Sequence, residues 1–170
     1  MNWLIATRAV SHAIVAAVIT FNQVHNGELG LTSLALFGIL YFSASLGTYL
    51  LDRRKKLTST SLGLPLIAPI LVSTLAVIAG TTNLSQLVAF RWLTGLLMLG
   101  FVITELMVAK KVGRKTLEGR EAVITAVASA IMLGIALGID VGEVPLIGFF
   151  GAYNAILAVH LGISAATPKK

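Results

Sequence analysis

Long apolar runs alternate with short polar ones along this chain, and the runs share one length. Residues 3–21, 31–51, 62–79, 87–108, 122–139 and 144–166 each come close to the roughly 20 apolar residues a helix needs to cross a hydrocarbon layer about 30 Å thick. The connections between them are polar or helix-breaking and too short to form a soluble domain. The pattern predicts an all-α fold, an integral membrane bundle of six transmembrane helices forming a single domain over 1–170. The first run resembles a secretory leader, but no basic region precedes it and no A-x-A-like cleavage site follows it. It is expected to stay as helix one.

Alternation between bare and basic connections divides the six runs into three helical hairpins, about 3–51, 62–108 and 119–166. The second helix of each carries a glycine in its early turns, Gly38, Gly95 and Gly151. Their nearly constant spacing points to a threefold internal repeat. Pro65 and Pro69 fall in the opening turns of the third run and Pro145 opens the sixth, where a missing backbone donor costs least. Helices in lipid associate by close packing, which favours small residues at their contacts. Gly134 and Gly138 form a GxxxG-spaced pair behind Ala126, Ala128, Ser129 and Ala130, so helix five is expected to be the most buried. The same pair would also serve a homo-oligomer.

Composition agrees with the pattern. Of 170 residues, 56% are hydrophobic and 12% charged, against about 25% charged in ordinary soluble domains. Cysteine is absent, which removes disulfides, thiolate metal sites and thiol nucleophiles. The net charge of +6 is concentrated at a few places. Arg53, Arg54, Lys55 and Lys56 occupy the second connection; Lys110, Lys111, Arg114, Lys115 and Arg120 the fourth; Lys169 and Lys170 the tail. The odd-numbered connections carry no lysine or arginine, only Glu28, Asp140 and Glu143 as charged residues. By the positive-inside rule both termini are cytoplasmic, and the basic runs are read as orienting signals, not as a nucleic-acid surface. A multi-pass location in a cell membrane follows. Trp3 and Trp92, near opposite ends of the hydrophobic layer, read as interfacial anchors.

Charges inside the layer need a partner or a wet cavity. Arg8 lies five residues into helix one and Glu105 five residues before Lys110, both roughly 7–8 Å below the inner surface at 1.5 Å per residue. They are expected to pair. His12 is one turn beyond Arg8 on the same face, and His160 is six residues from the end of helix six. Arg8, His12, Glu105 and His160 are therefore expected to converge in the inner leaflet, either as a satisfied packing cluster or as a proton, ion or ligand site. Near the outer surface, Arg91 has Asp140, Glu143 and Glu28 as candidate partners, either pinning the hairpins together or forming an anion site.

Hydrolytic and phosphate-binding signatures such as H-E-x-x-H and the P-loop are missing, so the protein is not expected to be an enzyme. The one cofactor reading is a haem held by His12 and His160 from different helices; otherwise the cofactor is unknown. Three short-looped hairpins with Leu36-Phe37-Gly38, Leu93-Thr94-Gly95 and Phe149-Phe150-Gly151, joined by basic inner connections, resemble the HdeD-like small bacterial membrane proteins. Pro145 fits that family's outer-turn pattern, while the first two hairpins have no proline there. The resemblance implies six spans in an inner membrane, an association with acid-stress resistance and no catalytic residues. Two functions are expected from the sequence. One is a non-enzymatic membrane protein, HdeD-like or an accessory subunit docking a larger membrane complex. The other is a small proton or ion transporter or channel using the inner-leaflet cluster. The lipid bilayer is the first partner, with a larger complex or a homo-oligomer beyond it.

Overall fold

The computed structural model describes residues 3–52, 63–82 and 84–167. These form six helices: α1 (Trp3–Phe21), α2 (Gly27–Asp52), α3 (Gly63–Gly80), α4 (Gln86–Val112), α5 (Leu117–Gly138) and α6 (Glu143–Ala166). The four bases at 53–56 and the two closing lysines lie outside the described residues.

Several helices extend beyond the apolar runs because local capping, not hydropathy, sets their ends. Asn26 accepts a hydrogen bond from the Leu29 backbone N–H at 3.0 Å, which starts α2 four residues before Leu31. Thr116 does the same for Gly119 at 3.0 Å, so α5 includes Glu118 and Glu121. Gly113, at φ 88°, stops α4, a backbone conformation that glycine adopts without strain.

Among the described residues, α2 (over Gly27–Gly47), α4, α5 and α6 are long and apolar enough to cross a membrane. The apolar parts of α1 and α3 are shorter, Ile5–Phe21 and Ile67–Gly80. This is the construction of a multi-pass integral membrane protein.

The helices pack as a ring in which close seams alternate with looser ones. The closest pairings are α1 with α6, α2 with α3 and α4 with α5; the pairs expected as hairpins touch less, α5 with α6 least, and α2 also reaches across to α4 and α6. The three repeated glycines explain the alternation. A Cβ on Gly38 would meet the Pro69 carbonyl oxygen of α3; one on Gly95 would meet Leu137 of α5 at 2.8 Å; one on Gly151 would meet Ile19 of α1 at 2.8 Å. Each glycine lets the next helix approach. In the α2–α3 seam the Ser73 hydroxyl also donates to the Ala35 carbonyl at 2.6 Å.

Aromatic rings fill the middle. Phe37, Phe90 and Phe150 are fully buried, with Phe150 edge-on to Phe37 at 6.2 Å and to Phe90 at 5.7 Å, the offset geometry that ring quadrupoles favour.

Helix five departs from expectation. Of the four long spans it is the least buried, and α2 the most. Gly134 and Gly138 are both exposed, with nothing near the place a Cβ would occupy. The inward face of α5 is instead built from Ala122, Thr125, Ala126, Ser129, Met132 and Ala136. The GxxxG spacing is real, but it lies on the opposite face, so it packs against no other helix among the described residues.

Candidate functional site

Two of the four inner residues form an ion pair. Arg8 Nη2 contacts Glu105 Oε1, tying α1 to α4, and the Arg8 guanidinium carbon sits 5.4 Å from the centre of the Tyr41 ring. Glu105 is buried and Arg8 nearly so. A carboxylate and an aromatic face on one guanidinium suit arginine, whose charge is spread over a flat, weakly hydrated group.

His12 is fully buried one turn further along α1. Its ring is 4.9 Å from Phe37, 5.8 Å from Tyr153 and 6.3 Å from Tyr41. The Nδ1 atom lies 2.8 Å from Asn154 Oδ1 on α6. Asn154 Nδ2 donates to the Phe150 carbonyl at 2.8 Å, and a carbonyl can only accept. The amide is therefore turned with its oxygen toward the ring, and His12 must carry its proton on Nδ1. Nε2 is then left as a buried atom without a partner.

His160 does not join this group. Its Nε2 is 2.5 Å from Glu121 Oε2 on α5, a close contact without the alignment of a hydrogen bond. Glu121 is buried and is the residue the sequence reading missed. It stands just before the apolar run that begins at Ala122, so hydropathy leaves it outside the helix; the Thr116 cap carries the helix past it, and it faces inward. The bis-histidine haem does not fit. His160 Nε2 faces the Glu121 carboxylate on α5, while His12, whose Nε2 is unpartnered, is fully buried with the rings of Phe37, Tyr41 and Tyr153 centred within 6.3 Å of its own. Among the described residues no cluster of three or more His, Asp or Glu side chains is suited to a metal ion.

At the other end of the bundle, Arg91 Nη2 donates to the Val141 carbonyl at 2.6 Å and, more loosely, to Asp140 at 3.3 Å. Asp140 is fully exposed, so the carbonyl contact holds Arg91. Glu143 is used differently: its carboxylate accepts from the Gly27 backbone N–H and caps α2. Glu28 is exposed on the first turn of α2. Trp3 and Trp92 are both exposed.

The sequence also gave little notice of the hydroxyl pair between α5 and α6, where Ser129 Oγ and Tyr153 Oη lie 3.0 Å apart and buried. No family model, no curated protein and no solved structure matches this chain.

Proposed function

We propose that this is a non-enzymatic protein of the inner membrane that crosses the bilayer six times with both termini in the cytoplasm. It acts through its lipid-facing surface, as an HdeD-like stress factor or as an accessory subunit of a larger membrane complex. One observation carries this reading. Three pairs of polar side chains meet across helices in the interior, Arg8 with Glu105, His12 with Asn154 and Tyr153 with Ser129, and aromatic rings pack around them. Such an interior fixes helices in place and leaves the outer surface to meet partners. The test is mild extraction followed by native mass spectrometry. A complex or oligomer of fixed stoichiometry is expected, and a bare monomer under every condition overturns the docking role.

A second reading, proton or ion movement, has its own observation. His12 Nε2, Arg8 Nε, Glu105 Oε2 and Thr94 Oγ1 are buried without partners, and such atoms call for water or an ion. Liposomes containing the pure protein and a pH-sensitive dye separate the two readings. Flux that His12→Ala and Glu105→Gln abolish supports transport, and silence supports the structural interior.

A further inference from the structure

The α5–α6 seam, the least intimate in the ring, carries a groove that the polar interior does not use. Its volume is about 240 Å³, and its walls include Ala128, Ile131 and Ile135 of α5 and Phe149, Ala152 and Ile156 of α6. Ile131, Phe149, Ala152 and Ile156 are exposed, so the groove opens away from the bundle. Tyr153 also borders it, but its hydroxyl is taken up by Ser129. The surface offered is therefore hydrocarbon. In a bilayer its surroundings are hydrocarbon as well.

A second observation lies at one end of the same seam. Lys110, Lys111, Arg114, Lys115 and Arg120 are all exposed where α4 ends and α5 begins. Glu118 is the exposed acid among them; Glu121 is buried against His160, which turns its charge away from the mouth. From Arg120 to Ala128 is eight residues of helix, about 12 Å, and on α6 the groove begins four residues, about 6 Å, from His160. One leaflet of the hydrocarbon layer is about 15 Å deep. A lipid whose headgroup rests at the bases thus brings the far half of an acyl chain level with the groove.

We propose that the α5–α6 seam binds an anionic phospholipid from the leaflet that the α4–α5 connection faces. The phosphate sits against Arg120 and its neighbouring bases, and the distal part of one acyl chain lies in the groove. Charge decides between this occupant and a second copy of the chain. A twofold dimer through this seam, with its axis along the membrane normal, would place the two sets of five bases side by side, whereas an anionic headgroup neutralises one set.

The test uses the full chain in detergent, equilibrated with phosphatidylglycerol or with phosphatidylcholine and read by native mass spectrometry. One phosphatidylglycerol per chain is expected to survive, in preference to phosphatidylcholine. Arg114→Gln with Arg120→Gln should weaken phosphatidylglycerol retention by about fivefold per base removed and leave phosphatidylcholine unchanged. Ala152→Phe, which fills the groove from an exposed position, should remove both. Because the chain has no cysteine, Ile156→Cys bearing a nitroxide reads the same contact without filling the groove, by broadening against a chain-labelled phosphatidylglycerol. Equal retention of the two lipids, retention unaffected by Ala152→Phe, or absence of broadening at position 156 overturns the proposal. So does a lipid-free dimer that Ala152→Phe dissociates, which would give the groove to a second copy.

Discussion

His12 and Asn154, 142 positions apart in the chain, meet through a single 2.8 Å hydrogen bond between α1 and α6. The bond has one polarity only, because the Phe150 carbonyl fixes the amide. Removing either partner strands the other in an apolar setting. His12→Phe is therefore expected to be milder than Asn154→Ala, which deletes the acceptor and leaves a buried N–H unsatisfied. Coupling in a double-mutant cycle should be about 1–2 kcal/mol, near the upper end for hydrogen bonds between membrane helices. Reversible unfolding in mixed micelles would measure it, and independent effects of the two substitutions would contradict the bond.

Arg8 and Glu105 should behave as a unit. Neutralising one leaves the other charge buried, so Arg8→Gln or Glu105→Gln alone is expected to cost about 3–5 kcal/mol. The double substitution should cost less than the sum of the two. Additive losses would show that the pair contributes no mutual stabilisation.

The three seam glycines should rank by what a methyl group meets. Gly38→Ala drives a carbon into the backbone carbonyl of Pro69, which cannot rotate away, whereas Gly95→Ala and Gly151→Ala meet the side chains of Leu137 and Ile19. The first should cost most, within the range of about 1–3 kcal/mol for overpacking. Gly134→Ala, on the open face, should be silent or slightly stabilising. Thermal unfolding of the four variants checks the order.

At the opposite end from the basic connection, Glu143→Ala should lower stability by about 1 kcal/mol through loss of the cap on α2. Asp140→Asn should leave stability unchanged, because Arg91 is held by the Val141 carbonyl. A larger effect at Asp140 than at Glu143 would reverse this assignment.

The six crossings proposed above require Lys55 and Lys111 to face one compartment. Membrane-impermeant labelling of Lys55→Cys and Lys111→Cys in intact cells should leave both unmodified, and both should react after the cells are opened. Reaction of one alone in intact cells would remove a span between them.

Much of the helix layout was readable because hydropathy changes sharply. Phe21 is followed by Asn22 and Gln23, and α1 ends there. The start of α5 was not readable in this way, since capping by Thr116 carries the helix through Glu118, Gly119, Arg120 and Glu121 regardless of polarity. Residue depth foretold that Arg8 and Glu105 lie level, and the structure pairs them. Depth also placed His160 beside them, but depth says nothing about direction around the helix axis, and His160 faces α5. The same gap explains Gly134 and Gly138: spacing shows that two residues share a face, not which neighbour that face meets. The preference of α6 for α1 over α5 had no local signal apart from Gly151, whose role emerges only when Ile19 is set against it.

The α1–α6 seam has a consequence for biosynthesis. α1 is made long before α6, so Arg8 has no Glu105 to pair with until residue 105 has been made, and His12 has no Asn154 until residue 154. A chain cut short before residue 154 leaves the His12 imidazole without its hydrogen-bond acceptor. The stability of α1 is thereby tied to residues synthesised long after it.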